Sequence, residues 1–334
     1  MVDNFVKRVI DEGGLLYPLI IPSELTEGTG LMNPSIFVED GKIKVIIRHV
    51  NYTFYHSEKK LFQHPYGPLT YLHREDDLHL RTWNWYCELD GNFQITRHTK
   101  IDTSRFDTYE PLWEFIGLED ARIFRWNDKL YTSGVRRDTT TNGQGRMELC
   151  EIEVNDDSVI EISRARIEPP NDPNSYCEKN WMPILDKPNH YVKWGNPTEV
   201  VEVFPDTCSS KTVYTSKQID LPRDLRGGSQ VLPYKDGYFC ITHEVDLFNS
   251  EAGRKDAIYY HRFIVWDKDW NIIKTTPEFH FMAADVEFCI GMAEYGNDYL
   301  MTFGFQDNAA FLLKAPKSTV EKFIDETSRL FSIL

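Results

Sequence analysis

Gly117-Leu118-Glu119-Asp120-Ala121-Arg122-Ile123-Phe124-Arg125-Trp126-Asn127-Asp128-Lys129-Leu130-Tyr131 holds a complete structural unit in one run. A compact polar motif opens an apolar strand. Asn127-Asp128 then reverses the chain, because Asn and Asp tolerate the left-handed backbone of a tight hairpin turn, and a second apolar strand leaves. The same format recurs in Ile36–Val45 around Asp40-Gly41 and in Ile184–Tyr191 around Pro188-Asn189. It recurs again in Val231–Phe239 around Asp236-Gly237 and in Met292–Leu300 around Asn297-Asp298. The five turns lie roughly 50 to 90 residues apart, a spacing that suits four-stranded blades with insertions.

A β-sandwich would also give strands and turns. The polar motifs decide against it. Roughly seven to nine residues before each turn stand Asn33-Pro34-Ser35, Glu119–Arg122, Lys179-Asn180-Trp181, Arg226-Gly227-Gly228-Ser229 and Glu287–Gly291. Equivalent strand starts in a propeller surround one axis, so five such motifs converge on one pocket. The sequence therefore predicts an all-β, five-bladed β-propeller, built as a single domain over residues 1–334. Asn84–Leu89 and His261–Trp266 are expected as outer strands. Ser318 and Glu321 form a capping-box pattern with Val320, Phe323, Ile324 and Thr327 on one face, which predicts a short C-terminal helix over about 318–330. The stretch 51–82, with His56, His64, Tyr66, Tyr71, His73 and His79, is expected as an insertion over one blade.

The bulk numbers narrow the partners. The 334 residues include 37 Lys and Arg against 52 Asp and Glu, a net charge of −15. Nucleic acid and anionic membranes need a basic face, so neither is an expected partner. Aromatic residues make up 13%, which suits strands and sugar stacking. The six cysteines show no C-x-x-C pairing and no His at zinc-ligand spacing, so no metal site is expected. They read as free buried thiols in a reducing compartment. The N-terminus has no signal-peptide pattern and no apolar run is long enough to span a membrane, so the chain is expected in the cytoplasm. No P-loop, G-x-G-x-x-G or G-x-S-x-G appears, and no cofactor is expected.

Asp120 and Arg122 are two apart in a strand and are expected on one side of it. Such a pair is either a structural ion pair or an acid held by a guanidinium beside a sugar hydroxyl. Arg48, Arg136, Arg137, Lys179, Arg226 and His243 sit near strand starts and strand ends. Together they would make a basic pocket inside an acidic protein, as a phosphate or sugar phosphate requires.

The ordered set Leu31-Met-Asn33-Pro34, Gly117-Leu-Glu119-Asp120-Ala-Arg122, Glu178-Lys179-Asn180-Trp181-Met-Pro183, Thr242-His243-Glu244 and Gly291 to Asp307 resembles glycoside hydrolase family 130, the five-bladed mannoside phosphorylases. It also resembles the related β-1,2-mannosyltransferases of glycosyltransferase family 108. The resemblance implies that Asp120 is the general acid, acting through a hydroxyl of the sugar while phosphate attacks the anomeric carbon with inversion. Glu119 and Arg122 would hold that acid or the sugar. Lys179, His243 and one or more of Arg48, Arg136 and Arg137 would bind phosphate, and Asn33, Asn180, Glu244 and Asp307 would contact the sugar. Three departures stand out. Ala121 replaces the usual proline, Arg226-Gly-Gly-Ser229-Gln230 replaces a Gly/Pro-rich fourth-blade motif, and the tail Phe303–Ala310 differs from the common form.

Three readings follow. The first is an inverting β-mannoside phosphorylase or mannosyltransferase that uses mannosides and mannose 1-phosphate or a sugar nucleotide. The second is an inverting hydrolase, which needs a carboxylate base some ~6.5–9.5 Å from the acid to activate water. Many sugar-cleaving propellers place an aspartate where this chain has Asn33, which cannot act as a base. Glu244 and Glu287 are the carboxylates left for that task. The third is a glycan-binding propeller without catalysis, which has no need of an acid beside phosphate-like cations.

Overall fold

The computed structural model describes residues 3–54, 71–72, 77–249 and 255–331. Its strands form five antiparallel four-stranded blades around one axis, the expected architecture. Blade one runs from inner to outer edge as Leu31–Glu39, Lys42–Val50, Leu80–Leu89 and Ile95–Lys100. Blade two is Glu119–Trp126, Lys129–Arg136, Arg146–Val154 and Val159–Ile167. Blade three is Met182–Pro183, His190–Gly195, Thr198–Phe204 and Ser209–Thr215. Blade four is Leu232–Tyr234, Gly237–Asn249, Lys255–Asp267 and Ile272–Thr275. Blade five takes Glu287–Tyr295, Asp298–Phe305 and Ala309–Pro316 from the C-terminal part and Leu15–Pro18 from the N-terminal part. That last strand pairs Leu15 with Lys314 and Pro18 with Phe311, and so fastens the two ends of the chain into one sheet.

Alternation along the strands explains the closure. Ile123 packs toward blade one, and its neighbour Phe124 packs toward blade three, as period-2 geometry requires. Ile46 likewise faces blade two, while Val45 and Ile47 face blade five. Each blade is thus apolar on both faces, and five core clusters fill the five inter-blade gaps. Helices Phe5–Asp11 and Lys317–Thr327 cover the gap between blades four and five. There Phe5 lies 4.8 Å from Phe279 and 5.2 Å from Phe323.

Several local expectations shift. Residues 55–70 and 73–76, including His56, His64, Tyr66 and His73 of the expected insertion, lie outside the described residues. Two turns sit one residue earlier than read, because Tyr234 pairs with Gly237 and Tyr295 with Asp298. The loops are therefore Lys235-Asp236 and Gly296-Asn297. The terminal helix begins at Lys317, so Ser318 is its second residue and Pro316 stands at the cap. It ends at Thr327, and Arg329–Leu330 pair with the edge of blade four. All six cysteines are free, but Cys208 is exposed and Cys177 half-buried rather than buried.

At the axis, five strand starts crowd together. A Cβ on Gly227 would sit 1.7 Å from the Asn180 carbonyl oxygen, and one on Gly291 would sit 2.7 Å from the Ile36 nitrogen. Gln230 fills the centre and is fully buried. Its amide nitrogen donates to the carbonyls of Ile36 (2.8 Å) and Ile123 (2.9 Å), and its amide oxygen accepts from Met292 N–H (2.9 Å). One side chain thereby ties blade four to blades one, two and five. Gln230→Met keeps the length but strands two carbonyls and one N–H in the core. Unfolding in urea should show a loss of about 2–4 kcal/mol. An unchanged midpoint would mean that strand packing alone holds the axis.

Candidate active site

The pocket face of the ring is set by connectivity. Segments that lead into each inner strand, and turns joining second to third strands, all lie at that end. At the start of three successive inner strands the backbone turns left-handed, at Asn33 (φ 43°), Asp120 (φ 52°) and Asn180 (φ 60°). Asn and Asp take this conformation at least cost among residues with side chains. Strand register shifts between Met32 and Ser35 and between Glu119 and Arg122. These irregularities turn the polar side chains toward the axis.

Asp120 is the centre of the arrangement. Its Oδ1 accepts from Arg48 Nη1 (2.8 Å) and from Asn33 Nδ2 (2.8 Å). Arg48 also donates to Glu119 (3.3 Å), Tyr52 (3.0 Å) and Thr82 (3.2 Å). Burial pushes the Asp120 carboxyl up, but the Arg48 charge and the Asn33 amide outweigh it and hold it below its usual value. Asp120 is therefore ionised at neutral pH.

The Arg122 partnership differs from the strand-based expectation. The bulge at Asp120 breaks the simple alternation. The Arg122 guanidinium donates to the carbonyl of Asp120 (3.1 Å), to Gly228 O (2.8 Å) and toward Asn180 Oδ1 (3.5 Å). It is fully buried, and burial lowers its pKa to about 10, so it stays charged at neutral pH. It fixes the backbone under Asp120 across three blades, while Arg48 neutralises the carboxylate.

Asp307 lies in the turn between the second and third strands of blade five, with left-handed φ of 48°. Burial raises its carboxyl to about 6, partly offset by Arg48 and reinforced by Asp120 and Glu119. Two neighbouring carboxylates thus have pKa values shifted in opposite directions.

The expected phosphate ligands separate into distinct groups. Arg48 is spent on Asp120, Glu119, Tyr52 and Thr82. Arg136 is buried in the ion network of blade two, with Glu148 (2.8 Å), Asp138 (3.3 Å) and Asp107 (3.3 Å). Arg137 is half-buried at the rim, donating to Gly143 O (3.0 Å) and Tyr176 Oη (2.9 Å). Lys179 is exposed and has no side-chain ion pair or hydrogen bond among the described residues. Its charge reaches Asp120, Asp307 and His243.

His243 is not a cation. Burial drives its pKa well below the ordinary value, and the His261 and Arg226 charges lower it further. Its Nδ1 lies 2.8 Å from the Gly227 carbonyl, which only accepts, so the ring's single proton sits there. Glu244, next in the strand, points to the other face. It is fully buried against Arg262, with Arg223 3.7 Å away. Glu287 is also fully buried and accepts from the N–H groups of Phe281, Met282 and Ala284. Sequence reading missed Tyr52, Thr82 and Tyr259. The Tyr259 ring stacks on His243 at 5.6 Å, and burial, Asp307 and Asp120 all raise its phenol.

No protein-family model and no curated protein sequence matches the chain. Solved structures match its fold. A β-1,2-mannobiose phosphorylase from Listeria innocua, in complex with β-1,2-mannobiose, shows 14% identity over 93% of this chain and 97% of its own, with a TM-score of 0.56. A mannose phosphorylase from Leishmania mexicana, in complex with phosphate, shows 13% identity over 94% of each chain at 0.52. A protein from work on glycoside hydrolase family 130, described as mannoside phosphorylases that include hydrolases of β-1,2 mannosidic linkages in Candida mannan, shows 16% identity over 86% and 85% at 0.57. The fold neighbours are thus members of the family that the motif order resembles. At these identities the likeness establishes a shared five-bladed propeller, and phosphorylases and hydrolases both use it.

The raised Asp307 carboxyl gives a pH-dependent prediction. Its pKa in the folded state exceeds that of the unfolded chain, so its contribution to stability is full below about 4 and is lost as pH rises through about 6. Asp307→Asn should stabilise the protein at pH 8 by about 1–2 kcal/mol, with the difference shrinking toward pH 4. Thermal melts across that range provide the check, and a difference independent of pH would refute the assigned shift.

Proposed function

We propose that this protein is an inverting carbohydrate-active enzyme that transfers mannosyl groups between β-mannosides and phosphate, with Asp120 as its acid. The observation that carries this reading is the exposed Lys179 cation, unpaired among the described residues, whose charge reaches Asp120. An acidic protein that keeps such a cation next to a half-buried carboxylate has a site for an anionic reactant. The mannoside specificity rests on the motif order and on the fold neighbours.

In the proposed reaction a phosphate oxygen attacks the anomeric carbon as the C1–O bond to the departing sugar breaks. The departing oxygen takes a proton that originates at Asp120 and passes through a hydroxyl of the bound mannose. Arg48 and Asn33 on their own keep Asp120 ionised. A phosphate dianion and a desolvating sugar raise the pKa of a neighbouring carboxylate, so the acid form belongs to the loaded site. Asn33 fixes the Asp120 carboxylate, Arg122 fixes its backbone, and Asn180 and Asp307 face the sugar. Transfer from mannose 1-phosphate to an acceptor is the same chemistry in reverse, and a sugar nucleotide is the alternative donor for a mannosyltransferase. Six unpaired cysteines support placing the enzyme in the cytoplasm.

Hydrolysis is the second reading, and one observation favours it. Asp307 is a second pocket carboxylate with the raised pKa that suits proton exchange with water. Glu244 and Glu287 are poor bases, because both are fully buried and hydrogen-bonded.

Cleavage of a β-mannobioside with and without inorganic phosphate distinguishes the readings. The phosphorylase gives mannose 1-phosphate only when phosphate is present, whereas equal rates with free mannose as sole product mean hydrolysis. Binding of sugars without turnover of any donor would make this a glycan-binding propeller. In the same assay Asp120→Asn should cost at least ~10²-fold in rate while the protein stays folded.

A further inference from the structure

The stretch 101–118 leads from the outer strand of blade one to Glu119 and Asp120 and is mostly irregular. Residues 107–110 and Leu112 are exposed, so packing does little to hold that part of it. Asp138, just past the second strand of blade two, supplies the anchor. Its side chain is buried. Oδ1 accepts from the Tyr109 hydroxyl (3.1 Å), and Oδ2 accepts from Gly117 N–H (3.0 Å). The Asp138 backbone carbonyl accepts from Leu112 N–H (2.8 Å).

Charge compensation alone does not account for Asp138. Arg136 already has Glu148 at 2.8 Å, and its contact with Asp138 is longer, at 3.3 Å. The shorter bonds of Asp138 go to the connecting stretch, and they meet it close to the acid. Gly117 has a φ of 98°, and a Cβ there would lie 2.3 Å from the Thr82 carbonyl oxygen. The Thr82 hydroxyl accepts from Arg48 Nε (3.2 Å), and Arg48 Nη1 donates to Asp120 (2.8 Å). The carbonyl of Leu118, next in the chain, accepts from Asn84 Nδ2 (2.9 Å). Gly117 thus sits between Asp138 and the residue that steadies Arg48, in the run that continues directly into Asp120.

We infer that Asp138 is a positioning residue: its carboxylate clamps Tyr109 and Gly117, and through Gly117 it sets the alignment of Asp120 with Arg48. The inference rests on the reading of Asp120 as the acid, and it adds a residue that acts through the protein alone. A carboxylate suits the task, because its two oxygens bond two donors of one segment and an ionised acceptor makes the stronger bonds. A displacement of about 1 Å at a reacting group is enough to cost ~10²-fold in rate, so an anchor at this distance has leverage.

The test is a double-mutant cycle between Asp138 and Asp120, measured on folded protein with a β-mannobioside and phosphate. Asp138→Ala should lower kcat about 10- to 100-fold while both KM values stay within about threefold. Asp138→Asn keeps an oxygen for Gly117 N–H and should recover most of that rate. In the Asp120→Asn background, Asp138→Ala should change the residual rate by less than about twofold, because the group it aligns is gone. An equal loss in both backgrounds would mark a purely structural role and overturn the inference, as would an unchanged kcat for Asp138→Ala. If Asp138→Ala does not fold, Tyr109→Phe takes its place. Removing that one bond at an exposed ring should lower kcat about three- to tenfold, again only where Asp120 is present, and an unchanged kcat overturns the inference. If wild type turns over no donor, or Asp120→Asn alone costs nothing, the reading of Asp120 as the acid fails first and the positioning role with it.

Discussion

The amide of Gln230 is the constraint on which the rest of the molecule depends. Five strand starts must meet at one axis, and their backbone groups there have no water to bond. A single carboxamide supplies two donors and an acceptor, and it uses all of them on three other blades. Unmet polar groups at that depth would each cost about 1–3 kcal/mol. The centre of the axis is therefore closed by the hydrogen bonds of Gln230.

The crowding that requires Gln230 also shapes the site. Where strands converge, regular extended backbone does not fit, and bulges with left-handed residues relieve the contact. Asn33, Asp120 and Asn180 fill those positions, and the same backbone turn aims their side chains into the pocket. Ser35 accepts from Ile123 N–H (3.0 Å) and donates to Ala121 O (2.7 Å), and Arg122 bridges to Gly228. The Asp120 carboxylate thus rests on a backbone fixed from several blades at once, so its position is set before any ligand arrives.

Much of this was legible from residue order. Turns such as Asp40-Gly41 and Asn127-Asp128 announce themselves because few residues accept positive φ, and strand alternation in Ile123–Trp126 shows two apolar faces. The Asp120 motif was visible too. What could not be read locally was its partner. Strand period pointed to Arg122, but the bulge redirected the pair, and Arg48 arrives from another blade. His243 looked like a cation because its burial is a property of the folded ring. The resemblance through Thr242-His243-Glu244 implies a sugar contact for Glu244, but alternation places it on the opposite face, against Arg262.

If the site beside Asp120 takes a phosphate group as well as a sugar, as proposed, it will hold a tetrahedral oxyanion. Crystals soaked with tungstate, a tetrahedral oxyanion that scatters anomalously, test it directly. One dominant anomalous peak is expected within hydrogen-bond reach of Lys179 and next to Asp120, displaced by added phosphate. A pocket that binds mannose but takes no oxyanion, or a peak lodged at the Arg136 network instead, would contradict it.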